Sequence, residues 1–240
     1  PGRGHPRLQR EAQARVQGPL GGLPGSRNLL PYLELHLHTK AGSADSSITA
    51  DQLGERAREQ GTDALVVTEH FRVWSDWERE AFEARWGIRL YPAIEVTTDL
   101  GHTLLIGVEP MTKLPSMTRE LLAMAADEGW LAIAAHPFRH YYDGIHVSQR
   151  PPFEPGLDVD ELAEYEYFGN VDAIEVANGG STDRENGLAL AVATKLGKPV
   201  TAGSDAHHID EIGRERMDVP VLPESIEELA ALLKSVIAGE

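Results

Sequence analysis

The sequence predicts an α/β fold, most economically a closed or nearly closed β/α barrel. From Leu30 onward, short β-branched or apolar runs alternate with amphipathic helical stretches. Almost every predicted strand ends on a histidine, an aspartate or a glutamate, and parallel barrels place their chemistry at these ends. The 240 residues also fit one large domain with a sizeable buried core. Together these observations predict a site at one end of a barrel.

The elements of the first half follow from periodicity and from helix caps. Alternation over residues 32–37 predicts a strand, and residues 49–60 predict a helix that begins after Thr49 and ends before Gly61. Next we expect a buried strand at 63–68, a helix at 74–86, strands at 89–97 and 102–108, a helix at 116–128 before Gly129, and a strand at 131–135. This repeated alternation implies a parallel sheet.

The second half begins with an irregular, proline-rich stretch over residues 140–157. It is too long for an ordinary connection, so we expect a lid or one wall of the site there. The remaining elements are a helix at 158–165, a strand at 171–176, a helix at 182–196 before Gly197, a strand at 198–202 and a terminal helix at 225–237.

The first 29 residues differ in composition from the rest. They are rich in Gly, Pro, Arg and Gln and lack the apolar run of a secretory signal. Residues 1–29 are therefore expected to be a flexible or loosely docked N-terminal extension, in which a short helix over 8–16 is one option. Residues 30–240 form the predicted functional domain.

Composition excludes several function classes. The formal net charge of −16 argues against a nucleic acid polymer as partner, and no run reaches the roughly 20 apolar residues of a membrane helix. The chain has no cysteine, which excludes disulfides, thiolate metal sites and cysteine nucleophiles. This composition suits a reducing compartment, so a cytoplasmic location is expected; the oligomeric state stays open.

The predicted strand ends carry a set of potential metal ligands. In the first strand, alternation puts His36 and His38 on one side, about 7 Å apart. Neutral imidazole is a ligand for zinc, manganese or iron. Further candidates follow the later strands or lie within them: Asp45, His70, Glu95, His102, His136, Asp205 and His207.

Each of these residues alone also has a structural explanation. His70 and Asp205 could cap helices, Glu95 could be a satisfied core carboxylate, and His102 could be a loop histidine. As a set, they would place many ionisable groups at one end of a barrel, where unpaired burial costs several kcal/mol each. Bound cations remove that cost, so the set favours a multinuclear metal centre.

Five motifs in this order resemble the PHP (polymerase and histidinol phosphatase) family of metal-dependent phosphoesterases. The motifs are Glu34-Leu-His-Leu-His-Thr39, Thr68-Glu-His70, Ala93-Ile-Glu-Val96, Ala135-His-Pro-Phe138 and Ala202-Gly-Ser-Asp-Ala-His207. They cover the chain from Leu30 to its C-terminus. The resemblance implies a distorted (β/α)7 TIM-like barrel that binds two to three divalent ions (Zn, Mn or Fe).

The resemblance also assigns the ligands. It implies one metal held by His36, His38, Glu95 and Asp205, a second held by Glu95, His102 and His136, and a third held by Asp45, His70 and His207. Where many relatives have Asp-His, this chain has Glu69-His70, and only the histidine is implied as a ligand.

The implied reaction is hydrolysis of a small phosphorylated substrate by a metal-activated water. We expect Arg139, Asp205 and His207 to be catalytic. Substrate contacts are expected from Arg139, which suits bidentate binding of phosphate, and from His140, Asn178 and His208.

Two alternatives stay open at this stage. An amidohydrolase-type hydrolase also begins with His-x-His on a barrel strand, but it typically adds a carboxylated lysine or a further strand-end histidine. No lysine is predicted at a mid-barrel strand end here. The other alternative is a catalytically silent metal-binding PHP module, against which the near-complete ligand set argues.

Overall fold

The computed structural model describes residues 30–143 and 151–236. The predicted extension over 1–29 and its optional helix lie outside the described residues. So do residues 144–150 and 237–240.

Seven strands close into a barrel, which confirms the predicted fold class. They are Tyr32–Leu37 (β1), Ala64–Glu69 (β2), Arg89–Thr98 (β3), Gly101–Ile106 (β4), Leu131–Ala135 (β5), Ala173–Asn178 (β6) and Val200–Ala206 (β7). Each strand pairs with the next, and β1 pairs with both β2 and β7 to complete the ring. A two-residue strand that periodicity did not predict, Met217–Asp218 (β8), pairs antiparallel with the start of β1.

The expectation of an all-parallel sheet is wrong at one strand. β4 runs antiparallel to β3 and to β5, because a tight turn rather than a helix connects β3 to β4. The consequence is functional: the start of β4, not its end, lies beside the carboxyl end of β3. His102 therefore pairs in register with Thr97 on β3 and with Ala135 on β5.

Helices on the outside connect the strands. They are Ala50–Gln60 (α1), Asp76–Trp86 (α2), Thr118–Glu128 (α3), Val159–Ala163 (α4), Glu166–Asn170 (α5), Asp183–Leu196 (α6) and Ile226–Ser235 (α7). The Thr49 and Thr182 side chains cap α1 and α6, and Gly61, Gly129 and Gly197 end their helices in the left-handed conformation that glycine favours. The helix α4 is shorter than the single helix predicted over residues 158–165, and the very short α5 was not predicted.

The core consists of two apolar clusters, which together hold the strands against the helices. The smaller cluster packs α1 and α2 onto β1 and β2, around residues such as Leu53, Phe82 and Val67. Among the described residues, no helix is long and apolar enough to span a bilayer. The proline-rich stretch contributes Pro151 and Pro152 to the wall of the main cleft, in line with the prediction of a wall.

Candidate metal centre

A cleft of about 470 Å³ opens at the carboxyl ends of the barrel strands. Nine of the thirteen predicted site residues line it: Asp45, His70, Glu95, His102, His136, Arg139, His140, Asp205 and His207. His36 and His38 are completely buried beneath the cleft floor. Asn178 and His208 are not among the lining residues.

The most buried group of candidate ligands contains His36, His38, Glu95 and Asp205. The Nε2 atom of His36 lies 3.4 Å from Glu95 Oε1 and 3.3 Å from Asp205 Oδ1. The Nε2 atom of His38 lies 3.3 Å from Glu95 Oε2 and 3.1 Å from Asp205 Oδ1. Two imidazoles and two carboxylates thus aim their ligand atoms at one point.

These residues fit a divalent cation. Nε2 of His36 is buried without any hydrogen-bond partner, which is a costly arrangement unless another group uses its lone pair. Ligands about 2.1 Å from an ion at tetrahedral angles lie about 3.4 Å from one another, close to the separations in this group. Nitrogen and carboxylate oxygen donors suit zinc, manganese or iron better than calcium.

A second group shares Glu95 and adds His102 and His136. The Oε1 atom of Glu95 lies 2.8 Å from His102 Nδ1 and 3.0 Å from His136 Nε2. Glu95 Oε1 thus lies between His36 and the second group, and Oε2 lies toward His38, so one carboxylate contacts both groups, as a bridging carboxylate must.

A third group lies at the rim and contains His38, His70 and His207. Asp45, which the family resemblance adds to this set, is 61% exposed; its Oδ2 atom lies 3.4 Å from Nε2 of both His70 and His207. The structure therefore brings all nine predicted ligands together around one cleft, although Asp45 is far more exposed than the buried carboxylates Glu95 and Asp205.

The carboxylate of Glu175 supports the floor from behind. It is completely buried in β6, and its Oε1 atom accepts a hydrogen bond from His36 Nδ1 at 2.9 Å. Its other oxygen accepts hydrogen bonds from the His136 backbone N–H and from the Asn178 side-chain amide. The hydrogen bond from His36 Nδ1 to Glu175 leaves Nε2 of the same ring directed toward the other residues of the buried group.

The backbone is strained at the same place. Non-glycine residues with positive φ are uncommon, and five of the described residues have it. Three are candidate ligands, namely His36 (φ 65°), His136 (φ 29°) and Asp205 (φ 53°), and His140 (φ 61°) lines the cleft. His36 and His38 lie on one side as predicted, with ring centroids 5.3 Å apart, but simple alternation does not describe β1, because its register shifts between Leu35 and Leu37. The two rings converge through this irregularity.

The pKa values reflect the crowding of opposite charges. Burial opposes a charge on His38, but hydrogen bonds to Asp205 and Glu95 outweigh it and raise its pKa to about 9. For His36, burial also opposes the charge, yet Glu175, Asp205 and Glu95 hold the pKa well above its usual value. The neighbouring histidines keep the pKa values of the Glu95 and Asp205 carboxyls well below their usual range despite burial.

The pKa values of His136 and His70 are shifted in the opposite direction. Burial and the neighbouring Arg139 guanidinium lower the pKa of His136 to about 4. Burial also lowers the pKa of His70, despite the attraction of Glu95. These rings are neutral at pH 7, which is the form that binds a metal ion.

Arg139 extends along the cleft wall above the ligands. Its Nη2 atom contacts Asp205 and lies 2.5 Å from Asn178 Oδ1. Asn178 is buried behind it, so the structure places this residue as a support for Arg139 rather than at the cleft surface. His208 is exposed, with its Nδ1 atom 3.0 Å from Ser47 Oγ outside the cleft.

The predicted site residues omit three that support the centre: Glu175, which contacts His36, and the pair Ser43 and Glu69. Ser43 Oγ lies 3.2 Å from His38 Nδ1 and 2.7 Å from a carboxylate oxygen of Glu69. The available signal was Glu69 itself, a carboxylate that ends a buried strand directly before His70.

Comparison with known proteins identifies a matching family model and solved structures with the same fold. Residues 183–240 match the family model described as PHP-associated. No protein of curated function has a sequence that matches the chain significantly.

Several solved structures share the fold at low sequence identity. A protein from Bifidobacterium adolescentis that is named, by inference, a metal-dependent phosphoesterase has 16% identity and a TM-score of 0.63; the match covers 87% of this chain and 97% of that one. An amidohydrolase from Chromobacterium violaceum, with bound sulfate and no metal, has 17% identity and a TM-score of 0.56 over 84% and 96% of the two chains. PsfC from Pseudomonas syringae has 17% identity and a TM-score of 0.55 over 87% and 89%. The family model and the shared barrel confirm the resemblance to the PHP family that the five motifs predicted.

Proposed function

We propose that this chain is a metal-dependent phosphoesterase that hydrolyses a phosphate ester of a small molecule. The observation that carries this proposal is the pair of ligand groups joined through Glu95 at the floor of a cleft, with the Arg139 guanidinium on the wall above them. Adjacent cation sites and a fixed arginine are the parts that phosphoryl transfer needs.

The ligand groups would hold two or three divalent ions, of zinc, manganese or iron. When bound, such ions polarise the phosphoryl group and lower the pKa of water toward neutrality. Asp205 and His207 would act as ligands at the reacting centre. The Nδ1 atom of His207 lies 2.9 Å from the Asp205 carbonyl oxygen, to which an Nδ1–H donates, so its Nε2 lone pair faces Asp45 and the rim group.

Arg139 would bind the phosphate. Asp205 and Asn178 both hold its Nη2 atom, which fixes the plane of the guanidinium beside the ligand groups. A fixed planar guanidinium binds phosphate oxygens with less loss of side-chain entropy than a mobile one. His140 lines the same wall and is a further candidate contact, whereas the exposed position of His208 gives it only a peripheral role.

The size and charge of the molecule favour a small substrate. A cleft of about 470 Å³ lies within the range for sites that enclose small molecules. The net charge of −16 disfavours a polyanionic polymer. We further propose that residues 30–240 are the catalytic domain and that the protein acts in the cytoplasm, where a chain without cysteine is suited to reducing conditions.

An amidohydrolase activity is the main competing function. A carboxylated lysine is typical of that class, and none of the described residues that line the cleft is a lysine. The amidohydrolase among the structural neighbours shares 17% identity, so the likeness concerns the fold alone. A silent metal-binding module would leave Arg139 without a ligand to bind.

Purified protein loaded with Mn²⁺ or Zn²⁺ should hydrolyse p-nitrophenyl phosphate and not simple amides or lactones. A screen of small phosphate monoesters would then identify the substrate class. The His36→Ala/His38→Ala double variant should lose bound metal, measured by mass spectrometry, together with this activity, because it removes half of the most buried group.

Val66→Ala is the matched control, since it shortens a buried core side chain of the same barrel that belongs to no candidate ligand group. It should keep metal and activity. Amide or lactone hydrolysis without phosphatase activity would favour the amidohydrolase function. Stoichiometric metal without any hydrolysis would favour the silent module.

A further inference from the structure

The carboxylate of Glu69 belongs to none of the ligand groups, yet it is completely buried at the end of β2. Four hydrogen bonds converge on it. Its Oε1 atom accepts from the Trp74 indole N–H at 2.8 Å and from the Thr39 hydroxyl. Its Oε2 atom accepts from the Thr39 backbone N–H at 3.0 Å and from the Ser43 hydroxyl at 2.7 Å.

These contacts determine where the Ser43 proton lies. The indole and backbone N–H groups can only donate, and an ionised carboxylate can only accept, so the hydroxyl of Ser43 donates its one proton to Glu69. The Oγ atom of Ser43 is then left with lone pairs only. It accepts one hydrogen bond from the backbone N–H of His70 at 3.0 Å.

The remaining neighbour of Ser43 Oγ is Nδ1 of His38, at 3.2 Å. Because the hydroxyl has no second proton to give, this nitrogen must be the donor and carry a hydrogen. With an ion bound, the neutral imidazole keeps this proton on Nδ1 and has its lone pair on Nε2. That lone pair faces Glu95 and Asp205, at the point where the buried group aims its ligand atoms.

We propose that Glu69 and Ser43 are positioning residues that set the tautomer and orientation of the metal ligand His38. Glu69 fixes the hydroxyl of Ser43, and the hydroxyl holds Nδ1–H of His38. This inference rests on the metal centre of the proposed function and not on its substrate. The effect is distinct from that of Glu175, which contacts His36 directly.

One consequence concerns the rim group. With Nδ1 held by Ser43, His38 offers a single ligand atom, and Nε2 is already directed toward Asp205 and Glu95. His38 would therefore coordinate an ion in the buried group and could not also coordinate one together with His70 and His207. An ion at the rim then depends on Asp45, the most exposed of the predicted ligands.

The test uses the whole chain and does not involve catalysis. Histidine ¹⁵N NMR of the Zn²⁺-loaded protein identifies which ring nitrogen of His38 carries hydrogen. We expect a slowly exchanging Nδ1–H and a coordinated Nε2. A His38 ring that carries its hydrogen on Nε2, or that coordinates through Nδ1, would overturn the proposal.

Zn²⁺ affinity in three variants provides the second measurement. Ser43→Ala removes only the hydroxyl oxygen and should weaken binding about 10- to 100-fold, the usual effect of losing an outer-shell partner. Glu69→Gln should weaken binding in the same direction, because an amide N–H toward Ser43 turns the hydroxyl proton toward His38. Thermal unfolding of each metal-free variant checks that it folds.

Ser46→Ala is the matched control within the same loop. Its hydroxyl donates to the backbone carbonyl of His38 and accepts from the Ile48 N–H, but it contacts no ligand ring. It should bind Zn²⁺ as the wild type does. If Ser43→Ala weakens binding no more than Ser46→Ala, the hydroxyl does not position His38.

The Ser43→Ala/Glu69→Gln double variant separates a relay from two independent effects. If Glu69 acts on His38 through Ser43, the loss in the double variant will not exceed the larger single loss. Additive losses would contradict the relay. Because none of these measurements uses a substrate, a missing phosphatase activity would reject the proposed reaction and leave this inference to be judged by metal binding alone.

Discussion

The buried floor and the exposed rim of the metal centre are held by different means. On the floor, His36 and His38 are fully buried, and each has a partner behind its Nδ1 atom, Glu175 for one ring and Ser43 for the other. At the rim, His70 and His207 share Asp45, a carboxylate that is 61% exposed. An exposed side chain keeps more rotamer freedom and is solvated by water, so it binds an ion less tightly. We therefore expect an ion on the floor to be held more tightly than an ion at the rim.

The largest expected effect comes from Glu95, because it joins the floor group to the group of His102 and His136. Glu95→Gln removes the negative charge from both groups and keeps the volume of the side chain. We expect loss of at least one ion and a fall in phosphatase kcat of at least about 10³-fold, comparable with or larger than removal of an electrostatic stabiliser. Metal analysis and steady-state kinetics measure both effects.

Glu185→Gln is the matched control, since Glu185 is also buried but accepts its hydrogen bonds from the cap of α6. It should keep its metal content and its kcat. A Glu95→Gln variant with normal metal content would show that the two groups do not depend on a shared carboxylate.

A second difference between floor and rim is the dependence of metal binding on pH. His38, with a pKa of about 9, and His36, with a raised pKa, hold protons at pH 7 that an ion must displace. His70 of the rim, with a lowered pKa, has no such proton to lose, and neither has His136 of the second group, with a pKa of about 4. From pH 6 to 8, affinity at the floor should rise about tenfold per pH unit for each proton displaced, and affinity at the rim should change little.

Zn²⁺ competition titrations at several pH values, with calorimetry in buffers of different ionisation enthalpy, measure this proton release. Equal pH dependence of all ions would contradict the distinction. In the metal-free protein, folding stability depends on pH in the opposite direction and falls as the pH rises. The raised pKa of His38 stabilises the fold fully below about pH 6.5, and this contribution is lost as the pH rises through about 9.

The smallest effect is expected at Asp45. Asp45→Asn removes the charge that His70 and His207 share but leaves every floor contact in place. We expect a roughly tenfold lower affinity for the rim ion, so that one ion fewer binds per chain at limiting metal, where three bind in the wild type. Isothermal titration of the metal-free variant measures stoichiometry and affinity together. Loss of the floor ion in this variant would show that floor and rim are one cooperative unit.

Much of the centre follows from the sequence because a barrel brings strand ends together. Once residues such as His36, Glu95 and Asp205 fall at strand ends, the fold alone places them around one cleft. The helix caps at Thr49 and Thr182 are equally local, since cap and helix are adjacent in the chain. These features need no knowledge of tertiary contacts.

Other features depend on contacts between distant segments and could not be predicted. The hydrogen bond of Ser43 to Glu69 joins a loop after β1 to the end of β2, and neither residue belongs to a periodic pattern. The register shift in β1 depends on both neighbouring strands. Asn178 and His208 fall near strand ends as expected, but only the packing around them turns one inward behind Arg139 and the other toward solvent.

The left-handed backbone at His36, His136 and Asp205 has a consequence for attempts to stabilise this barrel. Each such residue costs of order 1–3 kcal/mol, and glycine would relieve the cost. A glycine at any of these positions would relieve the backbone strain but would remove a candidate ligand together with the contacts of its side chain. Backbone stability and metal binding therefore make opposing demands on the mouth of the barrel. Stabilising substitutions are better sought at the opposite end of the barrel, where the described residues include no candidate ligand group.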